Sequence, residues 1–133
     1  MSSLALEFPR RAVRNFLHRI EVPRDIEAVT HIDAAAECDP LEAGIAHKEA
    51  AAIWRAVEDL YRTGYYPAVM FCLRRQGRVV FNRAIGHARG NGPGDDADTP
   101  KVPVSTSTPS CIFSASKAIT AMVIHKLDQQ RVL

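Results

Sequence analysis

The chain has 133 residues, of which 47% are hydrophobic and 24% are charged, so it allows one globular domain at most and excludes wholesale disorder. The chain has 17 Lys and Arg residues and 15 Asp and Glu residues, so its net charge is +2. Nucleic-acid binding needs clustered, uncompensated cations, so we expect no nucleic-acid partner.

The first 45 residues are expected to form an N-terminal extension that contains a short amphipathic helix. Apolar residues recur at helical spacing over residues 10–20, and Pro23 closes the pattern. Residues 1–20 are also locally basic, with four arginines against one glutamate. Two interpretations remain open: the apolar side packs on the domain, or the helix lies on a surface and binds anionic lipid or a partner.

The pattern next predicts a helix over residues 47–62. Its apolar residues share one face, and they are Ile53, Trp54, Val57, Leu60 and Tyr61. Gly64 is placed to end this helix as a C-terminal cap. Asp39-Pro40 is typical of a helix start, but Gly44 leaves residues 40–46 undecided. The mixed segment 21–39 predicts no particular element.

A β-hairpin is predicted after this helix. The continuous apolar run over residues 68–73 indicates a strand that is buried on both faces. A polar turn that contains Gly77 leads to a second strand from Val79 to about Ile85. Residues 86–110 are rich in Gly, Pro, Asp, Ser and Thr, so they are predicted to form a long loop.

The last predicted element is a helix from about Ala115 to Arg131, with Ser114 as its cap. Apolar residues surround much of its circumference, which is typical of a helix buried on most sides. The chain offers few other elements to cover it. In isolation the helix is therefore expected to expose Met122, Val123, Ile124 and Leu127, and this exposure favours self-association.

Ser114 and Lys117 form an S-x-x-K motif at the start of this helix. Residues three apart lie on the same helix face, so the amine of Lys117 can approach the hydroxyl of Ser114. A serine becomes a nucleophile when a neighbour takes its proton, and a lysine desolvated in an apolar helix can do so. The helix N-terminus adds backbone N–H groups for an oxyanion. The motif alone is weak, because a capping serine followed by a solvent-facing lysine has the same pattern.

The wider segment Phe113-Ser114-Ala115-Ser116-Lys117-Ala118-Ile119-Thr120-Ala121 has the form S-x-S-K-x-x-T-A. It resembles the nucleophile segment of the class C β-lactamase and esterase family of serine hydrolases. Penicillin-binding proteins are similar to this family and share the S-x-x-K motif. Residues 64–69 and 75–80 and Gly86 are similar to the same family in order and spacing. The resemblance covers residues 46–133. It implies a mixed α+β fold of the β-lactamase and transpeptidase type, with an antiparallel sheet, helices on its faces and a helical subdomain.

By this resemblance, Ser114 is the acylated nucleophile, Lys117 is its proton partner, and the backbone N–H of Ser114 supplies half of an oxyanion hole. Ser116 is given no catalytic role. The implied reaction is acyl transfer to water. We expect carboxylic esters in preference to β-lactams or peptidoglycan-type peptides, because no export signal is visible and cell-wall targets lie outside the cytoplasm. No cofactor and no metal are expected. The family's Tyr-x-Asn motif and its triplet ending in Gly are not found in these 133 residues. We therefore expect the chain to be the N-terminal part of such a hydrolase, as a fragment, a truncated product or a gene remnant.

Two hypotheses from other classes remain. The chain could be a non-catalytic interaction module whose apolar N-terminal helix and long loop bind a partner. It could also be a membrane-surface protein anchored through residues 8–20. Three cysteines at wide spacings favour a reduced compartment, and no apolar stretch approaches the roughly 18 residues of a membrane span. Glu7 and several arginines interrupt any secretory signal, so a cytoplasmic location is expected.

Overall fold

The computed structural model describes residues 19–92, 94–96 and 98–133. Its regular elements are β1 (Thr30–Ile32), α1 (His47–Arg62), β2 (Ala68–Arg75), β3 (Arg78–Arg89), β4 (Val102–Pro103) and α2 (Ser116–Gln129). Short 3₁₀ turns occur at Glu27–Val29, Pro40–Ala43 and Phe113–Ala115. Two helices and one antiparallel sheet confirm the predicted mixed α+β class.

Most of the amphipathic helix predicted for residues 10–20 lies outside the described residues, and so does most of the membrane-anchor segment 8–20. Arg19 and Ile20, at the end of both segments, are described, and neither is helical. In the part of the chain that the structure covers, no helix combines the length and the apolar composition needed to cross a bilayer.

Strand β3 is the centre of the sheet, because β1 and β2 pair with its two edges and β4 pairs with its carboxyl end. The predicted hairpin of β2 and β3 is confirmed, with Val69 opposite Ile85 and a bulge between Leu73 and Arg74. Gln76 and Gly77 both have positive φ, as the tight turn between twisted strands requires. The second strand is longer than predicted, since residues 86–89 continue it instead of opening the loop.

Helix α1 spans the residues predicted for it. The helix start predicted at Asp39-Pro40 is a separate 3₁₀ turn, in which the Asp39 carboxylate accepts a hydrogen bond of 2.8 Å from the backbone N–H of Leu41. Gly44 ends that turn with φ at +69°, a left-handed conformation that glycine adopts without steric cost. The chain then restarts as α1, where the Glu49 carboxylate accepts from the backbone N–H of Ala46.

The hydrophobic core lies between α1 and the sheet, in two clusters. The first joins the start of α1 to β3, and its buried members are Ala43, Ile45, Ala50, Val80 and Phe81. The second joins the end of α1 to the N-terminal extension, and its buried members are Ile20, Ile26, Tyr61 and Ile85. The N-terminal extension therefore contributes Ile20, Ile26, Ala43 and Ile45 to the core of the domain.

Two burial predictions are wrong. Strand β2 is not buried on both faces, because Val69, Phe71 and Leu73 pack towards the core while Met70 and Cys72 are exposed. Helix α2 is not buried on most sides: only Leu127 is half-buried and the other residues are exposed. The physical reason is that none of the described elements packs along α2. The expected exposure of Met122, Val123 and Ile124 is confirmed, whereas Leu127 is partly covered.

Candidate active site

Ser114 and Lys117, the two residues predicted to act together, are in direct contact. Ser114 lies in the 3₁₀ turn Phe113–Ala115, and Lys117 is the second residue of α2. The Nζ of Lys117 donates a hydrogen bond of 3.0 Å to the Oγ of Ser114. A proton can therefore pass between the hydroxyl and the amine without an intervening water molecule.

Ser114 does not cap the helix, contrary to the prediction. The α-helix begins one residue later than predicted, after Ala115, and no side chain caps it. Instead the hydroxyl of Ser116 donates a 2.8 Å hydrogen bond to the carbonyl oxygen of Phe113. The Ser114 hydroxyl points to Lys117 rather than to the backbone of the turn.

The residue before Ser114 has an unusual backbone. Phe113 has φ at +44°, in the left-handed region that a bulky residue rarely adopts, and its side chain is exposed. Such a conformation costs about 1–3 kcal/mol unless the surroundings hold it. In this turn, the Phe113 carbonyl accepts from the hydroxyl of Ser116 and from its backbone N–H.

Both members of the pair are exposed to solvent. The sequence predicted that Lys117 would be desolvated in an apolar helix. The Lys117 amine is not desolvated, because none of the described elements covers α2. Ser114 lies in the first turn of its 3₁₀ segment, where backbone N–H groups have no intrahelical partner. The arrangement thus provides a hydroxyl, an amine in contact with it and a helix N-terminus.

A second polar cluster, which the sequence analysis missed, lies at the carboxyl end of β3. His87 and Asn91 are buried there, and the Nδ2 of Asn91 lies 3.4 Å from the Nδ1 of His87. Burial lowers the pKa of His87, the Lys101 cation lowers it further, and the Glu21 carboxylate opposes both effects. The hydrogen bond from Lys101 holds the pKa of Glu21 below its usual value. No sequence spacing could have indicated this cluster, because Glu21 and Asn91 are 70 positions apart.

An open cleft of about 380 Å³ lies between α1 and the sheet. Trp54 and Phe81 form its apolar wall, and the guanidinium of Arg83 lies 5.1 Å from the Trp54 ring centroid. Trp54 is half-buried and packs on the first core cluster. Neither Ser114 nor Lys117 lines this cleft, so it is separate from the candidate active site.

The family of the chain was sought by comparison with models of known protein families. A family model described as Beta-lactamase matches residues 53–133, which is more than half of the chain and includes Ser114 and Lys117. The chain belongs to the beta-lactamase family. Comparisons with curated proteins and with solved structures gave no match.

The family assignment agrees with the residues that suggested it. The matched region of this beta-lactamase-family chain begins within α1 and includes the hairpin, β4 and α2. Within the described residues, no group of three or more His, Cys, Asp or Glu side chains is arranged to hold a metal ion.

Proposed function

We propose that this chain provides the nucleophile segment of a serine hydrolase, in which Ser114 is acylated and Lys117 exchanges its proton. The observation that supports this role best is the 3.0 Å contact between Lys117 Nζ and Ser114 Oγ. The contact lies at a helix start, and it falls within the region that matches the beta-lactamase family.

The proposed reaction has two steps. In the first, a neutral Lys117 amine takes the Ser114 proton while Oγ attacks the carbonyl carbon, and the resulting ammonium protonates the leaving alkoxide. In the second, a water molecule gives a proton to the amine and attacks the acyl carbon. The bond between the acyl carbon and Ser114 Oγ then breaks, the ammonium returns a proton to Oγ, and the acid is released. The backbone N–H of Ser114 stabilises the oxyanion that forms in each step.

We propose carboxylic esters as substrates, in preference to β-lactams or peptides. An activated phenyl ester is the least demanding acyl donor for an exposed pair, because a phenolate departs without prior protonation. An amide nitrogen must be protonated before it leaves, so amide hydrolysis depends more strongly on a positioned acid.

The exposure of the pair limits what the chain can do alone. A tetrahedral intermediate requires donors on both sides of its oxyanion, and loss of one donor costs about 10²–10³ in rate. An exposed lysine also lacks the desolvation that favours its neutral form. We therefore propose that the 133-residue chain has little or no esterase activity, and that the site is completed when further protein surface covers α2.

The test uses a chimera in which residues 46–133 replace the matching segment of an active family member. Ser114→Ala is expected to abolish hydrolysis of a short-chain nitrophenyl ester. Lys117→Ala is expected to lower kcat about 10²–10⁴-fold, since a positioned base contributes that much. Ser116→Ala is the matched control, because its hydroxyl contacts the Phe113 backbone rather than Ser114.

The control is expected to lose much less activity than either of the other variants. Mass spectrometry after a brief reaction should show the acyl group on the peptide that contains Ser114, and not in Ser114→Ala. Equal losses at Ser114 and Ser116, or an active Ser114→Ala chimera, would contradict the assignment.

A second candidate is an interaction module without catalysis. One observation favours it: the apolar residues Ile119, Met122 and Val123 are each more than half exposed on a helix that no described element covers. Large exposed apolar patches mark interaction surfaces. For this function the occupant we propose is a second copy of the chain, and the oligomeric state is the measurement that distinguishes it.

A further inference from the structure

Asn91, which contacts the ring of His87, binds the N-terminal segment, defined here as residues 19–22, to the body of the domain. Both side chains are buried, with 8% of the surface exposed for His87 and 6% for Asn91. His87 is near the end of β3, and Asn91 follows that strand by two residues. Neither residue belongs to the proposed active site.

Both the oxygen and the nitrogen of the Asn91 side-chain amide form hydrogen bonds to the backbone of Glu21. The backbone N–H of Glu21 donates to Asn91 Oδ1 at 3.2 Å, and Asn91 Nδ2 donates to the Glu21 carbonyl oxygen at 2.9 Å. The adjacent residue is held too, because the N–H of Ile20 donates to the carbonyl of Gly64. The Glu21 side chain forms an ion pair with Lys101.

This pairing determines the protonation state that His87 must have. The Glu21 N–H requires an acceptor and the Glu21 carbonyl requires a donor, so only one orientation of the Asn91 amide satisfies both. In that orientation the Nδ2 of Asn91 faces the Nδ1 of His87 at 3.4 Å. A side-chain amide nitrogen can only donate, so Nδ1 must accept, which requires an imidazole that is neutral and carries its proton on Nε2.

We propose that protonation of His87 releases residues 19–22 from the domain, so that binding of this N-terminal segment depends on pH. In the imidazolium both ring nitrogens donate, and the proton on Nδ1 would then face the NH₂ group of Asn91. Asn91 could offer its oxygen to His87 only by turning its amide. That rotation would break both hydrogen bonds to Glu21.

The charges around His87 favour a transition on the acidic side of neutrality. The groups that act on it are the Lys101 cation, before β4, and the Glu21 carboxylate, on the N-terminal segment. Burial and Lys101 lower the pKa of His87 in the bound state, while Glu21 opposes them. Once the segment is released, the imidazole returns towards its ordinary pKa of about 6.5. Binding of the segment is therefore complete above about pH 6.5 and weakens as the pH falls below it.

The ion pair does not produce this transition. The hydrogen bond from Lys101 holds the pKa of Glu21 below its usual value of 4.5, so Glu21 stays ionised where His87 begins to take up its proton. A loss of binding between pH 6.5 and 5 would thus report His87 rather than Glu21.

The test is amide hydrogen exchange of the whole chain between pH 7.5 and 5, corrected for the intrinsic pH dependence of exchange. The protection of the Glu21 amide is expected to fall as the pH drops below about 6.5, by at most about tenfold per pH unit, because one proton is linked to release. The amide protons between β2 and β3 should keep their protection. In His87→Gln, whose amide oxygen can accept from Asn91 and does not titrate, protection of Glu21 should be independent of pH.

His125→Gln is the matched control, because His125 is exposed on α2 and should leave the wild-type pH dependence intact. A second measurement needs no variant: in the wild-type chain, an NMR titration of the His87 ring should have the same midpoint as the change in the Glu21 amide signal. Constant Glu21 protection across the range, an unchanged pH dependence in His87→Gln, or two different midpoints would each overturn the proposal.

Discussion

The carboxylate of Glu37 accepts two parallel hydrogen bonds from the guanidinium of Arg83, 2.8 Å from Nε and 2.7 Å from Nη2. The Oε1 of Glu37 also accepts from the backbone N–H of Asn82, so one side chain joins the segment after β1 to the middle of β3. The guanidinium lies 4.5 Å from the centroid of the Phe81 ring, next to the core. A bidentate pair of this kind is among the stronger polar contacts in proteins.

Glu37→Ala is expected to lower the free energy of unfolding by about 2–3 kcal/mol, because it leaves the Arg83 guanidinium and the Asn82 N–H unpaired in a largely buried place. Urea denaturation measures the loss. Glu42→Ala is the matched control, since its pair with Arg78 is half exposed and should contribute less than about 1 kcal/mol. Equal losses in the two variants would show that burial of the Glu37 pair adds nothing.

Ile20→Ala should lower the free energy of unfolding by about 2 kcal/mol. Ile20 is buried against Ile26, Tyr61 and Ile85, and removing its side chain leaves a cavity at that contact. Ile32→Ala should have little effect, because Ile32 is exposed on β1. Removal of residues 1–20 should lower thermal stability for the same reason. Unchanged stability in both Ile20→Ala and the truncated chain would mean that residues 1–20 do not stabilise the domain.

Tyr61→Phe is expected to stabilise the chain by about 1 kcal/mol. The Tyr61 ring is fully buried in the second core cluster, and its hydroxyl has no hydrogen-bond partner among the described residues. A buried hydroxyl without a partner costs about 1–3 kcal/mol, and phenylalanine keeps the packing while it removes that group. The midpoint of urea unfolding measures the change. A destabilised Tyr61→Phe chain would reveal a partner for the hydroxyl.

The 133-residue chain is expected to self-associate through α2. Light scattering after size-exclusion chromatography should give a mass above that of the monomer, and the mass should fall on dilution. Met122→Lys should shift the population towards monomer, because it puts a charge in the middle of the apolar face. Leu41→Lys is the matched control: Leu41 is 59% exposed and Met122 65%, but Leu41 lies on the 3₁₀ turn away from α2. A monomeric wild-type chain would contradict this prediction.

The sequence predicted those features that depend on local pattern. The apolar face of α1, the hairpin and the contact of Ser114 with Lys117 all follow from spacing of a few residues. It did not predict β1, because three residues are too few to show a period. The pairs Glu37–Arg83 and Glu21–Asn91 connect distant segments, so no local pattern indicates them.

Burial of α2 was predicted incorrectly for a related reason. The apolar residues around its circumference show what the helix could pack against, but they do not show whether that surface is present. The apolar pattern of α2 indicates that the helix needs a partner surface, and none of the described elements covers it.

The exposure of α2 also affects the heat-capacity change on unfolding. Heat capacity rises on unfolding because apolar surface becomes hydrated, by about 12–15 cal/mol/K per residue in a globular protein. The apolar side chains of α2 are already hydrated in the folded monomer, so melting this helix should absorb heat with little change in heat capacity. Calorimetry of dilute protein should therefore give a heat-capacity change typical of a shorter chain, and self-association should raise it.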